Sequence, residues 1–396
     1  MSGGKALEPK LRFPEFEGNW EATKFGELID IANGQVDPKV EPYASMPHIA
    51  PDNIESRTGK LKNVRSACED GVISGKYEFD EKALVYSKIR PNLSKVAKPG
   101  YRGICSADMY PIWAKADRSD TGFLFHLMLG EKFVSDAIAV SMRTGLPKIN
   151  RPDLNAIRTH VPKTIPEQQK IAAFLDAASK KIALLTEKRD GLVAYKRGVM
   201  QRLFSGALRF TRPDGSAFPD WEYFSLDDLE AQGNVELGRG QVISKADLRA
   251  HPGNYPVYSS SGVDDGEFGR YGKWMFDEEL ITWSIDGGGR FFHRKCGKFS
   301  ITNVSGFLRI LNSEPNYGYL YSALSFLHQR LVFDYQLKAH PSVIRKLYKR
   351  IPIPHPDEQT KIAEALSALD AKIDAVSAEN SQMETFKKGL LQKMFV

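Results

Sequence analysis

At 396 residues, with 42% hydrophobic and 26% charged side chains, the chain is too long for one ordinary core and too apolar for wholesale disorder, so two domains with connectors are expected. Its 55 basic and 49 acidic side chains leave a formal charge of +6, which permits a polyanionic partner without demanding one. Three cysteines without a C-x-x-C pair argue for a reducing compartment and against a disulfide framework or a structural zinc. The opening ten residues lack the apolar core of a secretion signal, and no apolar run approaches the ~18–20 residues of a membrane span. A cytoplasmic protein with no membrane partner is expected.

In chain order, the first distinctive segment is LRFPEFEGNW (11–20). Short β-branched and aromatic runs follow between Gly- and Pro-rich turns, and ALVYSKI (83–89) reads as a strand. A helical stretch is expected over 121–142, containing FLFHLML (123–129), and a long helix from Glu167 to Phe204. The series then starts again. LRFTRPDGSAFPDW (208–221) answers the first segment, ELITWSI (279–285) and the run 306–311 read as strands, and YLYSALS sits in a helical stretch over 317–335. A second long helix follows, 358–395. The two long segments align without a gap and share Glu167/Glu358, Gln168/Gln359, Lys170/Lys361, Ile171/Ile362, Leu175/Leu366, Ile182/Ile373, Lys196/Lys387, Gly198/Gly389, Gln201/Gln392 and Phe204/Phe395. One fold used twice, with the framework kept and the loops changed, is the expectation.

The long helices carry a heptad seam. In the first copy it runs through Ile171, Leu175, Ala178, Ile182, Leu185, Leu192, Val199 and Leu203. In the second it runs through Ile362, Leu366, Leu369, Ile373, Val376, Met383, Leu390 and Met394. Polar residues interrupt it at Arg189, Lys196, Asn380 and Lys387, a device that fixes register at some cost in stability. Pro166 and Pro356 lie at the helix starts, where a missing N–H costs nothing. A helix of about 38 residues is ~57 Å long, and its single apolar stripe needs a partner. The other copy, running antiparallel, is the expected one. Packing of each helix onto a globular domain is the alternative, and the narrowness of the stripe disfavours it.

Each domain reads as α/β in the broad sense (α+β). Strand order is not legible. Basic, amide and aromatic residues gather in the irregular segments. Candidate DNA contacts are Lys88, Arg90, Asn92, Lys95, Arg143, Lys148, Asn150 and Arg151 in the first domain, and Arg239, Gln241, Arg270, Lys273, Arg290, Arg294, Lys338 and Arg345 in the second. Lys and Arg neutralise phosphates, and Arg, Asn and Gln pair bidentately with purine edges. Any one of them taken alone reads first as a solvated surface charge; their density on loops beside a framework is what raises the set.

Motifs for catalysis are missing. There is no glycine-rich S-adenosylmethionine turn with a Pro-Pro-aromatic or Pro-Cys partner, since FGRYG (268–272) has the wrong spacing. The glycines 287–289 are not followed by Gly-Lys-Ser/Thr and read as a tight turn rather than a phosphate loop. The eight histidines show no H-x-x-x-H or H-E-x-x-H spacing, and no G-x-S-x-G elbow is present. No catalytic or metal site is expected. A solitary methyltransferase or nuclease, or a coiled-coil adaptor that does not read DNA, remain the competing readings.

LRFPEF…W (11–20), GLPKINRPDL (145–154), IPEQQKIAAFLD (165–176), YKRGVMQRLFSG (195–206), FPDW (218–221), HPDEQTKIAEAL (355–366) and FKKGLLQKMF (386–395) together resemble the specificity subunit of type I restriction-modification enzymes, over essentially the whole chain. HPSVIRKL (340–347) departs from its counterpart at 146–154. The resemblance implies two similar target recognition domains, 1–163 and 207–354, each reading half of a bipartite double-stranded DNA site through the major groove. It also implies helical spacers, 164–206 and 355–396, forming a long antiparallel coiled-coil pair that sets the gap and docks modification subunits, usually two. It places S-adenosylmethionine, ATP and Mg on the modification and restriction subunits and no cofactor on this chain.

Overall fold

The computed structural model describes residues 8–141, 147–260, 264–286, 288–312, 314–331 and 338–395. The chain forms two compact units, Met1–Thr186 with Ala378–Val396, and Glu187–Ser377.

The first unit is built on two small sheets and a ribbon. β2 (Ile29–Ile31), β9 (Met109–Ala114), β6 (Leu84–Ser87) and β7 (Val96–Ala97) form an antiparallel sheet in that order. β4 (Arg65–Ser66), β3 (Pro47–Ile49), β8 (Gly103–Cys105) and β5 (Tyr77–Phe79) form the second, with β3 and β8 parallel. β1 (Glu21–Lys24) pairs antiparallel with β10 (Arg158–Val161). All of β6 is buried because it lies between two cores. Leu84 and Tyr86 enter the main core, while Val85, pointing the other way, joins Ile49, Phe79 and Cys105 in a smaller one; successive side chains of a strand face opposite sides. The expected helical stretch over 121–142 is two helices, α1 (Thr121–Leu129) and α2 (Glu131–Ser141), broken at Gly130. α3 (Arg151–Ala156) follows, then α4 (Ile165–Phe204), a single helix of 40 residues.

The second unit repeats this order strand for strand. β12 (Val235–Arg239), β19 (Ser305–Ile310), β16 (Leu280–Ser284) and β17 (Phe291–Arg294) form the antiparallel sheet. β14 (Glu267–Tyr271), β13 (Tyr255–Tyr258), β18 (Lys298–Ile301) and β15 (Phe276–Asp277) form the mixed one, with β13 and β18 parallel. β11 (Glu222–Phe224) pairs with β20 (Ile351–Ile353). β16 is split between cores as β6 is: Ile281 and Trp283 face one, Leu280 the other. Its helices are α5 (Leu226–Ala231), α6 (Lys245–Ala250), α7 (Tyr317–His328), α8 (Pro341–Leu347) and α9 (Pro356–Met394).

Both units contain an antiparallel pair made from the start of one long helix and the end of the other. In the first, Ile171 and Leu175 of α4 share a core with Leu390, Met394 and Phe395 at the end of α9. Farther along, Lys181 pairs with Glu379 at 2.8 Å, and buried Asn380 lies 3.4 Å from the Thr186 hydroxyl. In the second unit, Met200 and Leu203 of α4 share a core with Ile362 and Leu366 of α9, and Lys196 pairs with Asp370 at 2.5 Å. The seam therefore has two kinds of partner. Its outer members Ile171, Leu175, Ile362 and Leu366 are sunk in the cores of the units, whereas Leu185 and Val376 are buried nearer the helix middles and Ile182, Leu192, Ile373 and Met383 are half-buried.

The repeated Glu-Gln pair fixes the start of each long helix. Glu167 accepts hydrogen bonds from Arg12 Nε (2.8 Å) and Nη2 (3.0 Å) and from Trp20 Nε1 (3.1 Å). Glu358 accepts from Arg209 Nε (3.1 Å) and Nη2 (2.7 Å) and from Trp221 Nε1 (2.9 Å). Gln168 and Gln359 each accept, at 2.9 Å, the backbone N–H of the residue that caps α1 (Asp120) or α7 (Asn316). Close behind, Gly122 of α1 lies against Ala172 and Gly318 of α7 against Ala363. A Cβ on either glycine would come within 3.0 and 3.2 Å of the alanine methyl.

Candidate nucleic-acid interface

In the first unit the candidate residues gather where the β6–β7 hairpin meets the segment before α3. The backbone N–H of Ile149 donates to Lys88 O (2.8 Å), and that of Arg90 donates to Pro147 O (2.9 Å), making a short pairing of 88–90 with 147–149. Lys88 and Lys148 share one carboxylate, Asp108, each at 3.9 Å. Burial, reinforced by the Lys148 charge, holds the Lys88 ammonium below its usual range. Lys95 turns inward, donating to Pro51 O (2.7 Å) with Asp52 at 3.8 Å. Arg151 donates to Asn33 Oδ1 (2.7 Å) and Ala32 O while lying over the rings of Tyr77 and Tyr110. Asn150 caps α3, its side chain accepting from the Asp153 N–H (2.9 Å). Arg90 and Asn92 are exposed, without a side-chain partner among the described residues. Arg143 lies outside the described residues.

The second unit brings the corresponding segments together. The Ala339 N–H donates to Ile285 O (2.9 Å), and Lys338 pairs with Asp286 (3.3 Å). The hairpin between β16 and β17 turns through Gly288 and Gly289 at φ of 77° and 80°, a left-handed geometry that glycine adopts freely; Gly287 lies outside the described residues. Arg290 is exposed, over the Phe292 ring at 5.1 Å. Arg239 donates to Asn303 O, Gln241 is exposed, Arg270 pairs with Glu267 at 3.0 Å, and the Lys273 ammonium lies 3.5 Å from His251.

Two candidates are tied into their own unit. Arg294 is 4% exposed, bonded to Asp265 Oδ2 (2.7 Å), Asp265 O (2.7 Å) and Thr282, with its guanidinium 3.6 Å from the Tyr258 ring centre. Burial lowers its affinity for the proton. Arg345 forms a two-pronged pair with Glu230 and reaches Leu237 O. Arg294 is buried and Arg345 half-buried, and both tie segments of the framework together. His340, the counterpart of Asn150 before α8, makes no side-chain cap. Sequence reasoning missed Lys298, whose ammonium lies 4.0 Å from the ring centre of half-exposed Trp274, itself packed on Tyr255 at 4.9 Å. The Arg-Trp-Glu locks were also missed, although all three residue types recur together in both halves.

The chain matches the family described as type I restriction modification DNA specificity domain twice, over residues 17–193 and 219–385. It is 38% identical over 202 residues, 49% of this chain, to the specificity subunit of the type I restriction enzyme EcoDI of Escherichia coli, and spans 44% of that protein. A Mycoplasma pneumoniae protein named as a type I specificity subunit is 30% identical over 227 residues, 56% of this chain and 86% of its own length. Among solved structures, the S subunit of a type I restriction-modification system from M. genitalium superposes with a TM-score of 0.69 at 16% identity, covering 98% of this chain and 99% of that one. A chain of another type I system superposes with a TM-score of 0.55 at 18% identity, covering 95% and 97%. These superpositions concern the fold alone.

Proposed function

We propose, because the chain belongs to the type I restriction modification DNA specificity family, that each unit reads one half of a bipartite site on double-stranded DNA. The observation that carries the reading is the duplication: the same strand order, the same helix-start lock and the same basic hairpin corner occur in each unit, on sequences that differ in the loops. Two readers of one architecture with unlike tips suit two unlike half-sites. The helix pair sets the gap between the half-sites and docks two modification subunits, which supply S-adenosylmethionine; restriction subunits supply ATP and Mg chemistry. Phe174, Leu184 and Phe386 in the first unit and Tyr195 in the second are large apolar side chains left exposed on the long helices, which supports a protein partner there. Among the described residues no helix is long and apolar enough to cross a membrane. The chain works in the cytoplasm and is itself non-catalytic.

Selection from a randomised duplex library by the chain assembled with its modification subunits tests this. Enriched duplexes should carry two short fixed blocks at a constant separation, and binding should weaken steeply with salt. Assembly with partners but no enrichment and no salt-dependent binding would favour the adaptor; methylation or cleavage by the purified chain alone would favour a solitary enzyme.

A further inference from the structure

Resting on the DNA-reading function proposed above, we infer that Arg90, at the tip of the β6–β7 hairpin, determines specificity in the first half-site by hydrogen-bonding a base edge. The other candidate cations described at this corner are already engaged. Lys95 is turned onto Pro51 O, Arg151 is bonded to Asn33 between two tyrosine rings, and Lys88 and Lys148 straddle Asp108. Two ammonium groups on one carboxylate leave positive charge beneath the tip, which draws in a phosphate backbone but carries no sequence information. Of the candidate cations at this corner, among the described residues, Arg90 combines exposure, a guanidinium with no side-chain partner and a fixed base.

Its backbone supplies the fixed base. Arg90 sits at φ 50°, ψ 58°, a left-handed conformation that side-chain-bearing residues rarely adopt. It is held there by its N–H to Pro147 O (2.9 Å), by the Leu93 N–H donating to its own carbonyl (2.9 Å), and by buried Pro91. Glycine would make the same turn without steric cost. An arginine there projects a planar five-donor group from a pinned turn, the arrangement that pairs bidentately with guanine O6 and N7. The second unit shows the contrast. Its corresponding tip turns on Gly288 and Gly289, and its arginine, Arg290, leans on the Phe292 ring. The fixed left-handed arginine is therefore a feature of the first unit's hairpin tip, and the second unit presents its hairpin arginine from a glycine-built turn.

The test repeats the library selection with Arg90→Gly and Arg90→Lys in the assembled complex. Glycine suits the left-handed turn, so the fold is not at risk, and lysine keeps the charge while losing the fork. Both variants should lose preference at one base pair of the first half-site, by roughly 5- to 150-fold in discrimination, the worth of one bidentate contact, with the second half-site unchanged. An unchanged first half-site, an altered second half-site, or uniform weakening on every duplex would each overturn the assignment. The last of these would make Arg90 a phosphate contact. Failure of the unsubstituted chain to enrich any sequence would instead remove the DNA-reading function itself, and the role of Arg90 with it.

Discussion

Replacing Glu358 by alanine should loosen the second unit by a predictable amount. Its carboxylate is fully buried and accepts three hydrogen bonds, two from Arg209 and one from Trp221. Hydrogen bonds to a charged group are worth ~1.5–3 kcal/mol each, and breaking one side of a fully buried pair costs ~3–5 kcal/mol. Arg209 is 27% exposed and keeps its bond to Pro219 O at 2.6 Å, so water and that carbonyl recover part of the loss. The expected cost is about 3 kcal/mol, with about 1–2 kcal/mol for Glu358→Gln, which retains acceptor oxygen but no charge. For a unit of this size about 3 kcal/mol lowers Tm by roughly 6–12 °C. Urea and thermal unfolding of Glu358→Ala, Arg209→Ala and the double variant give the coupling, expected at about 1–3 kcal/mol. The repeat provides a second measurement: in Arg12–Glu167 the arginine is only 15% exposed, so Glu167→Ala should cost slightly more. A loss below about 0.5 kcal/mol, or no coupling, would refute the lock.

Close approach of α1 to α4 predicts that Gly122→Val costs about 1–3 kcal/mol by overpacking against Ala172, with Ala172→Gly partly restoring Tm; equal Tm values for parent and Gly122→Val would count against the contact. The first unit should be acid-sensitive at one named pair. There buried His126 lies 2.8 Å from Asp176, and burial holds the imidazole below its usual proton affinity, while the bonds from His126 and Lys98 hold Asp176 down to about 2. Both folded values are depressed, so the unfolded chain binds protons the folded unit does not. The His126 contribution fades as pH falls from ~6.5, and that of Asp176 between ~3.9 and its folded value. His126→Asn should flatten the urea midpoint between pH 7.5 and 5, and parallel curves would exclude this. Along the seam, a charge at buried Leu185 or Val376 should disrupt assembly with modification subunits more than one at half-buried Ile182 or Ile373, as size-exclusion chromatography would register. Inserting a whole heptad into both α4 and α9 should widen the gap between half-sites and leave their sequences intact; altered half-sites would contradict the spacer role.

The helix pair was legible because a heptad pattern spans tens of residues and recurs without a gap. The sheets were not. Their strands are two to six residues long, and β6 and β16, the best of them, are buried on both faces, which erases the alternation that reveals a strand. Pairings such as β3 with β8 join residues far apart in sequence, which no local pattern records. At the candidate interface, sequence located the basic segments but could not say which cations were spent. Arg294 and Arg345 look like Arg90 in a sequence, and only the positions of Asp265 and Glu230 separate them. The Glu-Gln pair stood out as a repeated signature, while its partners lie roughly 150 residues away across each fold.

The Leu11 N–H donates to Lys393 O at 2.9 Å, and the Leu208 N–H makes the same bond to Arg202 O at 2.9 Å. In one case the donor and acceptor are near neighbours in the chain; in the other they are separated by almost its whole length. During synthesis the stretch 187–377 is contiguous and can close as soon as it emerges, whereas the unit that begins earlier must wait, its hydrophobic interior lacking Leu390, Met394 and Phe395, for residues made after the other unit. The usual order of domain maturation on the ribosome is thereby reversed, and a stalled or shortened product would leave the earlier-made half unfinished while the later-made half stands complete.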